Sequence, residues 1–398
     1  MQKIDLDNVQ GATSGTVREI NRRILLNLVR KFQPVSRADL SRHSGLQRST
    51  ISKIADELIA AHWITESGIG YLPRGRPPRY LHLNNQRIGV IGVDLRPGRT
   101  TLALAGLDGR FLSRQSMPTP KDPASFVDIL ALQVQSMRAS HSDRTVEAVG
   151  VAVPGRVDRN SHRLVFAPNL KWETCDLKGP LESATKLPVE LENAANACAL
   201  AELWSGRHGE SVRNLVAVTV SEGLGVGMVF NGQLVTGASG LAGEFGHVRI
   251  LDDGPMCACG NRGCWESCAS NNAAVEYYTQ LLNGRSTVSP GGVTFEDIMT
   301  LYNRGDRFAC AALDRMAANL GVGLAMVITG LAPDLVVIVG EVTRVWNQFG
   351  TAVESVIRQR APACCSTPLI PAESSTDARL RGTIALTLQR HFGNPLMA

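Results

Sequence analysis

The sequence predicts an α/β protein in which a small N-terminal winged helix-turn-helix unit precedes a larger α/β body. Three observations predict it. Apolar residues recur at helical spacing in three short segments before residue 60, and two β-like runs follow them. Past residue 87, short apolar runs such as Ile88–Leu95 and Ala148–Val153 alternate with helical patterns. Charge is divided as well: residues 1–83 hold 13 Lys and Arg against 7 Asp and Glu, and the rest of the chain holds 28 against 29. The entire basic excess therefore lies in the first fifth of the chain, where it could meet a polyanion.

In the N-terminal unit, Val17, Ile20, Ile24, Leu25, Leu28 and Val29 mark one face of a first helix over 16–32, which Pro34 ends. Ser36 followed by Asp39 has the form of a capping box for a short second helix to about His43, and Ser44-Gly45 makes the turn. Ile51, Ile54, Ala55, Leu58 and Ile59 then define a third helix. Near its start stand Arg48, Ser49, Thr50, Ser52 and Lys53, short hydroxylated and basic side chains suited to base edges and phosphates in a major groove. The runs at 64–66 and 79–83 flank a loop carrying Arg74, Arg76 and Arg79 on a Gly/Pro-stiffened frame, which reads as a wing able to touch phosphates or a narrow minor groove. The plainer alternatives are a solvated basic turn and a small protein-binding helical domain.

With 398 residues, the chain exceeds one ordinary core, and 44% apolar with 19% charged residues is a globular composition. No run approaches the roughly 18 to 20 uncharged apolar residues of a membrane helix, and the N-terminus lacks a signal-peptide core, so a cytoplasmic location without membrane insertion is expected. Of nine cysteines, Cys257, Cys259, Cys264 and Cys268 crowd one segment, a pattern of metal binding more than of disulfides. Cys364-Cys365 and the others read as structural thiols. Residues 283–294 read as a surface loop.

Beyond the Ile88–Leu95 strand, Ala103–Leu107 ends at the Asp108-Gly109 turn of a hairpin, a helical pattern runs from Phe126 to about Met137, and Ala148–Val153 stops at Pro154-Gly155. The segments that follow are Val151-Ala152-Val153-Pro154-Gly155-Arg156-Val157-Asp158, Ala167-Pro168-Asn169-Leu170 with Trp172, Glu192-Asn193-Ala194-Ala195-Asn196, Glu244-Phe245-Gly246-His247, and Cys257-x-Cys259-Gly-Asn-Arg-Gly-Cys264-Trp-Glu266. In these the chain resembles the ROK family, which groups bacterial repressors with sugar kinases. With its N-terminal unit, it resembles the repressor branch over nearly its whole length.

The resemblance implies a two-lobed, actin-like, sugar-kinase-like (ribonuclease-H-like ATPase) body with a zinc-bound loop. His247, Cys257, Cys259 and Cys264 are the implied Zn²⁺ ligands, and three thiolates with one imidazole form a closed structural set. The alternative is a Cys-rich loop beside a core histidine, and Cys268 is left over as a core thiol. Asn193, Glu244, His247 and Glu266 match the positions at which the family holds a pyranose. The expected domains are 1–83, then 84–195 joined by a C-terminal helix 379–398, then 196–378 with the zinc site and an oligomerisation surface.

Against a kinase stand four departures from the family's pattern. The catalytic base, an Asp in the kinases, is Ala194. The Asp-x-Gly-Gly-Thr phosphate turn is Asp94-Leu95-Arg96-Pro97-Gly98, and Pro97 has no amide hydrogen to give. The Gly-Thr-Gly-x-Gly-x-Gly turn is Ser221-Glu222-Gly223-Leu224-Gly225-Val226-Gly227, with an acid where a hydroxyl would meet phosphate, and the Gly-Gly near the adenosine is Gly340-Glu341. A non-enzymatic regulator of sugar uptake or metabolism genes is expected. Its implied partners are a double-stranded DNA operator, a small-molecule sugar effector and a second copy or more of itself as homodimer or homotetramer. The rival readings are a ROK sugar kinase with an accessory domain, and a repressor controlled by a protein partner such as a sugar transporter.

Overall fold

In the computed structural model, which describes residues 14–69, 78–205, 208, 211–282, 292–362, 366–373 and 377–393, the chain opens with α1 (Ser14–Phe32), β1 (Val35–Ser36), α2 (Arg37–Ser44) and α3 (Arg48–Ala60). The hairpin strands β2 (Ile64–Ile69) and β3 (Arg79–Leu83) follow, and the three strands form an antiparallel sheet in the order β1-β3-β2. The capping box is formed: Ser36 Oγ accepts from the Asp39 amide at 3.2 Å, and Asp39 Oδ2 accepts from the Ser36 amide at 3.2 Å. Arg37 then pins the unit together, reaching Asp56 of α3 at 2.8 Å and Glu66 of β2 at 2.7 Å. The buried side of α1 is Leu25, Leu26 and Val29, whereas Val17 and Ile24, expected on that face, are 46% and 38% exposed. The stripe is turned because α1 packs against the C-terminal helix as well as its own unit.

The body repeats one topology twice. Its first half comprises β4 (Ile88–Leu95), β5 (Arg99–Gly106), β6 (Phe111–Pro118), α4 (Pro123–Ser140), β7 (Thr145–Val153), the small pair β8 (Arg156–Val157) and β9 (Leu164–Phe166), α5 (Lys178–Thr185), β10 (Val189–Asn193) and α6 (Ala194–Ser205). Its second half comprises β11 (Leu215–Val220), β12 (Leu224–Phe230), β13 (Gln233–Leu234), α7 (Trp265–Ala269), α8 (Asn271–Leu282), α9 (Phe295–Asn303), α10 (Arg307–Leu331), β14 (Leu335–Gly340), α11 (Trp346–Arg360) and β15 (Leu369–Pro371), before α12 (Ala378–Phe392) closes the chain. The sheets run β10-β7-β4-β5-β6 and β13-β12-β11-β14-β15. In each, three antiparallel strands are extended by two that pair in parallel. The inner strands β4, β7, β11 and β14 are largely apolar and buried on both faces because helices cover both sides of each sheet. α10 is long and apolar enough by composition to cross a membrane, but its apolar window is 61% buried, and it forms much of the second lobe's core.

Two helices fill the space between the sheets. α12 lies on β4 and β7, α6 lies against β11 and β12, and the two helices pack on each other. Gly382 makes that approach: a methyl placed on it would sit 1.9 Å from the Ala197 carbonyl oxygen. The C-terminal end of α12 also holds the N-terminal unit. Leu25, Leu26 and Val29 share one apolar cluster with Ile88, Val90, Ile384, Leu388 and Phe392. Asn27 Nδ2 donates to the Phe392 carbonyl at 2.7 Å, and the Trp63 ring lies 4.2 Å from His391. Arg30 stacks over Trp204 of α6 at 3.9 Å. The N-terminal unit and the first lobe are therefore joined by a common core, not by a bare linker.

Gly382→Ala should destabilise the protein by about 1 to 3 kcal/mol, an overpacking cost with backbone on the far side, read as a lower urea midpoint. An unchanged midpoint would mean that α6 and α12 can separate freely. His391 is held down to about 4, by burial first and then by Arg22 and Arg390, against an ordinary 6.5. The unfolded chain takes up that proton first, so the stability His391 contributes is complete above pH 6.5 and is lost as pH falls from 6.5 towards 4. Thermal unfolding across that window should show the loss, and His391→Phe should flatten it; an identical slope in the variant would assign the loss elsewhere.

Candidate functional site

A cleft opens between the lobes where strand ends and tight turns from both sides meet. The first lobe supplies Pro154-Gly155-Arg156 beyond β7 and Asn193 at the end of β10. The second supplies the β11–β12 turn, the short 3-10 segment Glu244–His247, and Glu266 on α7. All four residues expected to hold a sugar, Asn193, Glu244, His247 and Glu266, line this cleft.

Their hydrogen bonds limit what each can offer. Asn193 Oδ1 accepts from the Ala195 amide at 2.7 Å, capping α6, and its Nδ2 donates to the Gly155 carbonyl at 2.9 Å. One amide hydrogen is left for a ligand. Glu266 Oε2 accepts from the Leu224 amide at 3.0 Å, which fixes the carboxylate against the glycine-rich turn. Glu244 Oε2 stands 3.6 Å from His247 Nε2, and burial pushes the Glu244 carboxyl up while His247 and Arg156 partly offset it. Sequence reasoning did not single out Arg379, which is 6% exposed and also lines the cleft. It arrives from the far end of the chain on α12, and no local motif marks it.

Behind Glu244 and Glu266 the four expected metal ligands converge. One donor atom each from His247, Cys257, Cys259 and Cys264 lies within 4.8 Å of the others. Cys257 Sγ is 3.6 Å from His247 Nδ1, and Cys259 Sγ is 3.6 Å from Cys264 Sγ. A tetrahedral centre with metal–sulfur bonds of about 2.3 Å sets its sulfurs about 3.8 Å apart, so the spacing fits a metal ion. His247 thus turns Nδ1 to the cysteines and Nε2 to the cleft. Gly263 permits the loop to close: its φ is +69°, and a Cβ there would lie 1.6 Å from the Leu251 carbonyl oxygen. Cys268, not among the ligands, is fully buried.

Ala194, only 6% exposed, presents a methyl group to the cleft at the position where the sequence resemblance leads a base to be expected in a kinase. The turn after β4 places Arg96 on Asp94 at 2.9 Å and on Glu341 of the second lobe at 3.5 Å. At the other end of the molecule, Arg48, Ser49 and Lys53 are exposed at the start of α3, with Thr50 and Ser52 half-buried beside them. Arg79 is exposed and 3.4 Å from Glu66. Arg74 and Arg76 lie outside the described residues, as do Cys364, Cys365 and most of the 283–294 segment.

The ROK family model matches residues 90–390. The chain is 30% identical over 381 residues to the xylose repressor of Bacillus spizizenii, covering 94% of this chain and 96% of that protein. Among solved structures, a ROK family transcriptional regulator described as a homologue of the Escherichia coli MLC protein superposes with a TM-score of 0.82 at 28% identity, over 96% of this chain and 98% of that one. A ROK family glucokinase from Streptomyces griseus, in complex with glucose and AMPPNP, superposes with a TM-score of 0.68 at 29% identity. It covers 98% of its own length but 75% of this chain, so a quarter of this chain has no counterpart there.

Elemental analysis of the purified protein should find about one divalent metal ion per chain, as a closed four-ligand set holds. Cys264→Ser should lose that metal and lower the melting temperature. A metal-free wild type with the same melting temperature before and after chelator treatment would contradict the site.

Proposed function

We propose that this chain, which belongs to the ROK family, is a sugar-responsive DNA-binding repressor whose kinase-like body has become a sensor. Residues 1–83 act as a winged helix-turn-helix, with α3 entering the major groove through Arg48, Ser49, Thr50, Ser52 and Lys53, and with Arg74, Arg76 and Arg79 of the wing on the flanking backbone or minor groove. Residues 84–195 with the C-terminal helix, and residues 196–378, are the two lobes of the sensor. Two copies grip a two-fold operator in the cytoplasm.

The sugar lies between the lobes on Asn193, Glu244, His247 and Glu266. Carboxylates accept from its hydroxyls, and the remaining Asn193 amide hydrogen donates to one. The residues His247, Cys257, Cys259 and Cys264 suit Zn²⁺, which supplies structural bracing: it fixes the His247 ring so that Nε2 faces the ligand. No phosphoryl transfer follows, because Ala194 can neither orient nor deprotonate a hydroxyl.

The observation that carries this reading is α12. Its Arg379 lines the cleft and donates to Ser221 Oγ at 2.6 Å, while its Phe392 shares a core with α1. A change in lobe closure therefore has a rigid path of about 22 Å to the DNA-binding unit. Repression relieved by sugar needs only a differential affinity of roughly 5- to 150-fold between the two states.

A duplex selected by the protein from a random pool should bind with steep salt dependence, and Arg48→Ala and Lys53→Ala should weaken it. One monosaccharide should raise the melting temperature and lower duplex affinity by roughly tenfold, within the usual coupling range. Glu244→Ala should abolish both effects, and no sugar phosphate should form from ATP. Sugar-dependent ATP turnover at ordinary kinase rates would overturn the reading in favour of an active kinase. A duplex affinity that no sugar moves would favour control by a protein partner.

A further inference from the structure

Where Pro97, Ser221, Glu222 and Arg379 line the cleft, the chain's own charges gather, with Asp94, Arg96 and Glu341 joined to them outside the lining itself. Arg96 bonds Asp94 at 2.9 Å and reaches Glu341 at 3.5 Å. Arg379 stands 3.8 Å from Asp94 and donates to Ser221 Oγ at 2.6 Å. Glu341 takes a further bond from Asn271 Nδ2 at 2.9 Å. Burial alone would raise the Glu222 carboxyl, but Arg379, its own amide, Arg96 and the Ser221 hydroxyl together lower it. Burial alone would likewise lower Arg96, and the charges of Asp94, Glu222 and Glu341 reverse it.

The count of charge then matters. Two guanidinium groups face three carboxylates, a net charge of about −1 in a half-buried space. Asp94 is 4% exposed, and its Oδ1 is buried without a hydrogen bond. Three backbone positions that could greet an anion offer it nothing: Glu266 holds the Leu224 amide at 3.0 Å, the Ser221 amide donates to the Gly223 carbonyl at 2.9 Å, and Pro97 has no amide hydrogen. Phosphate recognition needs the reverse, unpaired cations and free amides.

We propose that Asp94, Arg96, Glu222, Glu341 and Arg379 make the cleft selective for an uncharged sugar and exclude phosphorylated sugars and nucleotides. This rests on the reading of the cleft as a sugar site and names the class of effector it takes. The same residues that replace the nucleotide's phosphate seat thereby act as a specificity filter on the neighbouring sugar seat. The filter spans the lobes, because Asp94, Arg96 and Arg379 belong to the first sheet and its helix, whereas Ser221, Glu222 and Glu341 belong to the second.

Titration calorimetry of the full-length metal-loaded protein tests it, with D-glucose and N-acetyl-D-glucosamine against their 6-phosphates, D-xylose against its 1-phosphate, and with AMPPNP. The expected result is binding of one neutral sugar, with its phosphate weaker by more than about tenfold and AMPPNP undetected, since one like charge at short range is worth at least that much. In Glu222→Gln/Glu341→Gln, where the net charge changes sign, the ratio of phosphate to neutral affinity should rise by about tenfold or more. A phosphorylated sugar that binds the wild type as well as or better than its neutral form would overturn the filter and leave the sugar-sensor reading intact. Failure of every sugar, neutral or phosphorylated, would remove the sensor reading and the filter with it.

Discussion

Packing of α12 against the first sheet, α6 and α1 is the contact on which the other features depend. Its near end reaches the cleft through Arg379, and its far end closes the apolar cluster that contains Leu25, Val29 and Phe392. Between these ends the helix approaches α6 so closely at Gly382 that no side chain fits. A helix held this tightly cannot bend to absorb a shift at one end, since packed interiors transmit strain. The shared core ties the N-terminal unit to the first lobe, and Arg30 on Trp204 ties it to α6 as well, so on the proposed reading a change in the angle between the lobes would reach it.

That link fits the proposed reading, in which a kinase-like scaffold serves as a sensor without phosphoryl transfer. Closure around a ligand belongs to the two-lobed architecture, and the repeated sheets keep it whether or not phosphoryl transfer follows. On the side proposed to hold the sugar, Asn193 caps α6, Glu266 is fixed on the glycine-rich turn, and His247 is shared between the cysteine cluster and the cleft. On the other side stand the methyl of Ala194 and the Asp94–Arg96–Glu341 cluster, where the proposed reading has neither a base nor a phosphate seat. An ionic contact, Arg96 to Glu341, joins the two halves here.

Much of this was legible in the sequence because it depends on local chemistry. The Ser36–Asp39 capping box, the buried run of β4 and the Asp108-Gly109 hairpin turn each follow from a few neighbouring residues. The His247 and cysteine spacing marked a metal cluster, and the motif segments brought Asn193, Glu244 and Glu266 to one cleft. What sequence could not supply came from partners far along the chain. The buried face of α1 is set in part by α12, more than 300 residues later, so Val17 and Ile24 were placed on the wrong side. Arg379 escaped notice because its meaning comes from Asp94 and Ser221, which only the fold brings near.

Coupling between cleft and DNA is the central claim, and thermodynamic linkage offers its most direct test. The dissociation constant of the effector sugar should be measured for the free protein and for the protein saturated with its operator duplex. Linkage requires the operator to weaken the sugar by the same factor by which the sugar weakens the operator. Equal factors are the predicted result. A sugar affinity identical on and off the duplex would contradict the claim, because the cleft and the DNA-binding unit would then be independent however closely α12 joins them.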